Sequence, residues 1–482
     1  MNPVVGWALA GAHVALALGV SSHIILTKED VRSAIGWTGL VWLTPILGTV
    51  LYVMLGINRI NRRAGYLRAR RAMADTTRAA AVRAMTDTAP MLEFPAVVEP
   101  SLRPLAVLVG TVTGLPLVAG CAVDALEPGD VAYPAMLAAI DAATRSVALG
   151  TYIFDRGGVG TQFVDALARA VARGVQVRVL IDGVGARYSH PPIVRALKAR
   201  QVPVAQFLPL RIPLPNPYFN LRNHRKLLVV DGTVAFCGGL NIRDACVLAN
   251  RRPDATRDVH FRLRGPVVRH LMSVFAFDWH FMTKEALDGE VWWPTLGPAG
   301  AIAARGIPDG PDGDFETLLM TILGAVMQAT RSIRLCTPYF LPDPPLIDAL
   351  RVAALRGVRV EIILPEHGNL RLVQWAATAQ LRQVMAWGCR VFVTRRPFDH
   401  SKILVVDGAW SLIGSGNWDP RSLRLNFEYD VECYSAELGA RLESLLDTRI
   451  ANGRALPLEE IEGRSLPRRL RDGVAWLAQP YL

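Results

Sequence analysis

The chain has 482 residues, enough for two or three domains with full cores, and its 51% hydrophobic content excludes a disordered or low-complexity protein. A mean hydropathy of +0.25 exceeds what a wholly water-soluble enzyme usually carries, so part of the chain is expected in lipid. The net charge of +11 suits an anionic membrane surface or nucleic acid, while six scattered cysteines with no C-x-x-C pair exclude a disulfide scaffold or zinc finger.

Two charge-free runs open the chain. Residues 4–26 hold no formally charged residue at neutral pH apart from what protons His13 and His23 carry, and residues 35–57 hold none at all. Each can cross about 30 Å of hydrocarbon as a helix. The start "MNPVV" offers no basic n-region and no small-residue cleavage site follows, which favours a retained two-helix transmembrane hairpin (1–58) over a cleaved signal peptide. Arg59, Arg62, Arg63, Arg68, Arg70 and Arg71 follow, with Arg78 and Arg83 beyond and only Asp75 opposing them. This excess predicts a cytoplasmic end, with the loop around Lys28 to Arg32 outside. In a juxtamembrane segment (59–120) each arginine can also gain about 1 kcal/mol from anionic headgroups. Residues 105–123 are uncharged but interrupted by Gly110, Gly114, Pro116 and Gly120, so they are read as a strand-and-turn entry to the globular part rather than a third crossing.

Beyond residue 120 the chain repeats itself. "ATRSVALGTYIF" at 143–154 returns as "ATRSIRLCTPYF" at 329–340, and "ARGVQVRVLID" at 172–182 returns as "LRGVRVEIILP" at 355–365. Matched blocks in register point to a duplication. In each copy a β-branched run gives way to helical periodicity (162–173; 345–356) and then, after Arg-Gly, to a second apolar run (175–181; 358–364). Strand, helix and strand with such a break predict a parallel sheet flanked by helices. The expected fold class is therefore α/β, with two duplicated domains, 121–300 and 301–482, packed as a pseudo-dimer. "GIPDGPDGD" at 306–314 is read as marking their junction.

A third pair of blocks carries the chemistry, "RNHRKLLVVDGTVAFCGGLN" at 222–241 and "FDHSKILVVDGAWSLIGSGN" at 398–417. Residues two apart on an extended strand share a face, so His224 presents with Lys226 and His400 with Lys402. Asp231-Gly232 and Asp407-Gly408 predict hairpin turns whose return strands bring Asn241 in one half, and Ser415 and Asn417 in the other, back to the same end. A phosphodiester anion repels nucleophiles until its oxygens are neutralised. Two lysines and two asparagines can do this around one phosphate without a metal or cofactor. One neutral imidazole can then attack phosphorus while the other, protonated, donates to the leaving alcohol. The symmetry of the blocks leaves open which histidine does which.

The two H-x-K-x4-D motifs, His224, Lys226, Asp231 and His400, Lys402, Asp407, resemble the phospholipase D superfamily. The paired hydrophobic runs, "NLRNHRKLLVVDG" and "GNWDPRSLRLNFE" are similar to bacterial cardiolipin synthases over nearly the whole chain. The resemblance implies His224 as nucleophile, His400 as acid and base, and Asp258 and Glu428 as acids that orient the histidines. The two motif aspartates are read as turn residues. It also implies phosphatidylglycerol and anionic membrane lipid as partners, no nucleic acid, and a multi-pass protein of the bacterial inner membrane with its catalytic domains on the cytoplasmic side. "GGLN" in the first half lacks the serine of "GSGN", where Ser415 is expected to contact phosphate. Rival readings are a hydrolase of the same superfamily, a nucleic-acid phosphodiesterase and a non-enzymatic scaffold.

Overall fold

The computed structural model describes residues 3–28, 30–53, 94–209, 221–311, 314 and 316–481. The arginine-rich stretch from Arg59 to Arg83 lies outside the described residues. The chain divides into two compact units, residues 1–67 and 68–482.

In the first unit, α1 (Pro3–Thr27) is followed by α2 (Val31–Leu43) and α3 (Pro45–Leu51). The Asp30 carboxylate caps α2 by accepting from the Ser33 amide at 2.8 Å. The second charge-free run is not one continuous helix. Pro45 has no amide hydrogen and pushes Thr44 out of helical conformation (φ −141°, ψ 74°), so α2 stops and α3 begins with the proline at its first turn. Ala17, Ile24, Val41 and Tyr52 form a small core, closed by Tyr52 on His23 Nδ1 (2.8 Å) and by Trp42 Nε1 donating to Ser21 Oγ (3.1 Å). Among the described residues no helix is long and apolar enough to cross a membrane.

In the second unit, α4 (Arg103–Thr113) leads into the first half: β1 (Val118–Leu126), α5 (Gly129–Ala142), β2 (Ser146–Thr151), α6 (Gly158–Ala172), β3 (Gln176–Asp182), α7 (Ile193–Ala199), β4 (Val204–Phe207), β5 (Leu227–Val230), β6 (Val234–Gly238), β7 (Thr256–Arg257), β8 (His260–Arg264) and α8 (Val268–Thr283). The second half follows the same plan: β9 (Ile302–Asp309), α9 (Thr317–Gln328), β10 (Ser332–Cys336), α10 (Pro344–Leu355), β11 (Arg359–Pro365), α11 (Arg371–Met385), β12 (Arg390–Thr394), β13 (Phe398–Asp399), β14 (Ile403–Val406), β15 (Trp410–Gly414), α12 (Pro420–Arg424) and β16 (Glu428–Tyr434). It closes with α13 (Ala436–Ala451), β17 (Gly453–Leu456), α14 (Leu458–Glu462) and α15 (Leu466–Leu477).

Among the described residues both halves share one mixed sheet of 15 strands. It reads outwards from the central antiparallel β9–β1 pair as β16-β15-β14-β10-β11-β12 on one side and β8-β6-β5-β2-β3-β4 on the other, with β17 added at the second half's edge. The parallel pairs β2–β3 and β10–β11 are the predicted strand-helix-strand units. Each half fills its own core, around Phe163, Leu167 and Val177 in the first and Leu350, Val360 and Trp410 in the second.

One sequence expectation is corrected. Residues 103–113 form a helix, not a strand, because Leu105, Ala106 and Val109 fall on one side and pack into the second half's core with Leu318 and Ile322. Gly110 does not break it. The Arg305 guanidinium, bonded to the carbonyls of Ala106 and Leu115, occupies the space where a Cβ would stand, 2.7 Å from Nη1. Residues 306–309 of the Pro/Gly/Asp-rich run lie where the two halves join. They end β9, which pairs with β16 along seven residues at the centre of the sheet.

Candidate active site

The two hairpins β5–β6 and β14–β15 turn through Asp231-Gly232 and Asp407-Gly408, all four with φ between 52° and 66°. That pair of positive φ values is the turn that matches the twist of paired strands. Each aspartate points away from the cleft. Asp231 accepts from the Thr144, Arg145 and Ser146 amides and the Thr144 hydroxyl, and Asp407 accepts from Thr330, Arg331 and Ser332 in the same way. These amide bonds hold both carboxyls below the usual range against the upward push of partial burial. The repeated "ATRS" is therefore the cradle for the motif aspartate, which locks the hairpin to the strand beside it.

At the opposite end of the hairpins the halves exchange contacts. The His224 amide donates to the Phe427 carbonyl (2.9 Å), and its Nδ1 lies 2.9 Å from the carboxylate of the next residue, Glu428. The His400 amide donates to the Arg257 carbonyl (2.7 Å), and its Nδ1 lies 2.7 Å from the next residue there, Asp258. The short pairing of β7 with β13 makes the second crossing, and a bridge between Asn223 and Phe427 makes the first. Each histidine is thus oriented by the acid of the other half, with Nδ1 engaged and Nε2 left for chemistry.

The two acids are held differently. Glu428 also accepts from Ser415 Oγ (2.6 Å), Ser422 Oγ (2.9 Å) and Asn426 Nδ2 (3.1 Å). Burial alone would raise this carboxyl, but His224, Lys226 and Ser415 outweigh it and hold it down to about 2. Asp258 reaches less far, accepting from the Val259 amide at 2.8 Å. Its oxygens stand where a side chain at Gly239 would begin, 2.4 Å from a Cβ there. So Gly239 and Asp258 in one half fill the space of Ser415 and Glu428 in the other. The expectation that Ser415 contacts phosphate is corrected: its hydroxyl is spent on Glu428 and its amide neighbour, Tyr429.

A cleft of about 250 Å³ brings together His224, His400, Asn241, Asn417 and Asp258. Lys226 and Lys402 lie behind this wall, 2% and 5% exposed, each donating to the carbonyl of its own motif histidine. Burial lowers the Lys226 ammonium to about 7 and also lowers Lys402. It lowers both histidines too, with Glu428 opposing the shift at His224; at His400 the Lys402 ammonium adds to it, to about 4. Asn241 Oδ1 is taken by the Ile153 amide and Asn417 Nδ2 by Ser422 Oγ. Of the remaining histidines, His270 is buried and accepts from the Gly306 amide, while His190 is exposed. Among the described residues no group of three His, Cys, Asp or Glu side chains could hold a metal.

Several cleft residues escape a motif search. Tyr152 stands edge-on to His224 (5.1 Å) and Tyr339 to His400 (6.2 Å). Both follow a repeated Thr whose hydroxyl bonds the carbonyl two residues on, Thr151 to Ile153 and Thr337 to Tyr339. The shared "T-x-x-F" of the first repeat block was the available signal. Arg222, Arg243 and Arg421 also line the cleft. Arg222 pairs with Asp182 and Arg243 with Asp155.

The family model for the phospholipase D-like domain of cardiolipin synthases matches residues 136–275 and 322–450. A cardiolipin synthase of Oceanobacillus iheyensis is 30% identical over 472 residues, covering 98% of this chain and 97% of that protein. The major cardiolipin synthase ClsA of Bacillus subtilis is 32% identical over 364 residues, 75% of each chain. The crystal structure of a phosphatidylserine synthase from Haemophilus influenzae shares the fold, with a TM-score of 0.62 at 16% identity over 79% of this chain and 100% of that one.

Proposed function

The chain belongs to the cardiolipin synthase family of enzymes with phospholipase D-like domains, and from that premise we propose that it joins two phosphatidylglycerols into cardiolipin, releasing glycerol, through a phosphohistidine on His224. The observation that carries the mechanism is the exchange of acids between the halves. It fixes two imidazoles in one cleft with their Nδ1 atoms engaged.

In the first step His224 Nε2 attacks phosphorus and the P–O bond to glycerol breaks, with His400, whose protonated form Asp258 and the bound anion favour against burial and Lys402, giving its proton to the departing oxygen. The imidazole ring gains positive charge as the N–P bond forms. Glu428, held ionised against burial by His224, Lys226 and the Ser415 hydroxyl, compensates that charge, which favours His224 as the residue that carries the phosphatidyl group. In the second step neutral His400 takes the proton of an incoming glycerol hydroxyl, whose oxygen displaces His224 from phosphorus. Lys226 and Lys402 neutralise the phosphoryl oxygens, and the arriving anion favours their charged forms against the pull of burial. Asn241 and Asn417 turn their remaining amide hydrogens toward the same group. The acceptor carries its own phosphate, and Arg421, on the cleft wall, suits that second anion.

The same reading puts the enzyme at the bacterial inner membrane, with residues 4–26 and 35–57 as a hairpin and the catalytic halves on the cytoplasmic side. The absence of Asp, Glu, Lys and Arg from both runs and the arginines after residue 58 support it. Purified full-length protein given labelled phosphatidylglycerol alone should yield cardiolipin and free glycerol, with activity surviving excess chelator. Phosphatidic acid as the sole lipid product would show a hydrolase instead.

A further inference from the structure

Helix α15 turns an apolar stripe away from the protein. Leu466, Leu470, Val474 and Leu477 are 66%, 60%, 68% and 71% exposed, and their spacing of four, four and three residues keeps them on one face. The opposite face is anchored. Asp472 and Ala475 are buried, Ala475 in a cluster with Leu341 and Ala376, and Asp472 pairs with Arg464 at 3.0 Å. Arg471 stacks on the Trp375 ring at 4.4 Å. The stripe is therefore a held surface, not a frayed end.

At about 100° per residue, Arg469 and Arg471 fall on the two flanks of the stripe, and Trp476 lies beside the Arg469 flank. Arg468 and Arg469 are exposed. An apolar face edged by arginines and a tryptophan matches the cross-section of a bilayer interface, with acyl chains below and anionic headgroups at the rim. The position fits as well. Helix α15 packs on α11, whose first turn and the residue before it give Val373 and Leu370 to the wall of the cleft. Leu370 and Leu372, beside that wall, are themselves 52% and 44% exposed.

We propose that α15 and the start of α11 form a membrane-docking edge, which seats on an anionic phospholipid surface and sets the mouth of the cleft against the headgroups. It shares with the proposed function only the premise that the substrate is a lipid. It adds a contact of the catalytic body itself, separate from any N-terminal anchor.

The six cysteines are all buried, so a cysteine placed on the stripe can be labelled selectively. In full-length protein reconstituted in phosphatidylglycerol vesicles, a fluorophore on Val474→Cys should be quenched by nitroxide lipid, while one on Val352→Cys, an exposed site on α10, should not. An unquenched Val474 probe would overturn the proposal. So would cross-linking of Val474→Cys between copies, which would assign the stripe to a second chain. In the second arm, Leu470→Asp with Val474→Asp should raise the apparent KM for vesicle phosphatidylglycerol at least about tenfold and leave turnover of a monomeric short-chain phosphatidylglycerol unchanged. An unchanged vesicle KM would refute the docking role. If the unsubstituted enzyme turns over neither lipid, the proposed function fails while the quenching result still decides this inference.

Discussion

Burial holds the Lys226 ammonium down to about 7, and its charge is what an incoming phosphodiester needs. Above that pH the free enzyme loses the proton, so kcat/KM for the donor lipid should fall as pH rises through about 7. A bound phosphate stabilises the ammonium, so kcat should hold to higher pH. Lys402 is lowered by the same cause, and the limb belongs to the pair rather than to one residue. Lys226→Arg keeps its charge at any accessible pH and should move the limb upward even where it slows turnover. An alkaline limb unmoved by that change would assign it to another group. Arg421 makes a different demand. Arg421→Gln should raise the KM for acceptor phosphatidylglycerol about tenfold and increase the fraction of phosphatidic acid formed, without changing transfer to a small neutral alcohol. A uniform loss with every acceptor would instead place Arg421 on the donor phosphate.

The hairpins carry the site at one end and their staples at the other. From Lys226 to Asp231 the chain runs about 16 Å in extended conformation. Asp407→Ala should therefore lower the unfolding free energy by about 1–3 kcal/mol, as the amides of Thr330, Arg331 and Ser332 lose their acceptor. The kcat of the folded fraction should change little. Denaturant unfolding beside active-site titration separates the two, and a large kcat loss at unchanged stability would give the aspartate a chemical role. The repeat blocks, the His-x-Lys spacing and the Asp-Gly turns are legible in the sequence because each depends on neighbours in the chain. Helix α4 is not, since Gly110 reads as a breaker until Arg305 is seen to fill the gap beside it. Ser415 misleads for a related reason. Its place beside Asn417 suggests phosphate, but the partner that claims its hydroxyl, Glu428, arrives through the pairing of β15 with β16. Both acids can be found by their position after each motif. Which histidine each one serves is fixed only by the crossing of β7 with β13 and of Asn223 with Phe427.

At the scale of the whole molecule, the exchange makes each catalytic role a joint product of the two halves. Asp258→Ala should then resemble a His400 variant, and Glu428→Ala a His224 variant, although each acid lies in the opposite half from its histidine. A phosphatidyl ester of nitrophenol tests this, because its leaving group needs no proton. Asp258→Ala should release nitrophenol in a stoichiometric burst and accumulate phosphohistidine, since the acid step is bypassed and the base step is not. Glu428→Ala should show no burst. The reverse pattern would exchange the roles assigned to the two histidines.

The near-symmetric sheet, with one half bound to the other through β9 and β1, also bears on how such a site can specialise. Two identical subunits would give both imidazoles the same surroundings, and any gain at one would be copied at the other. Joined in a single chain, the copies are free to drift apart, and the braces show where they have: a glycine with a short acid behind one ring, a serine with a longer acid and two further donors behind its counterpart. A division of labour that a symmetric pair could not inherit becomes heritable, the proposed one giving the lipid to one ring and the protons to the other.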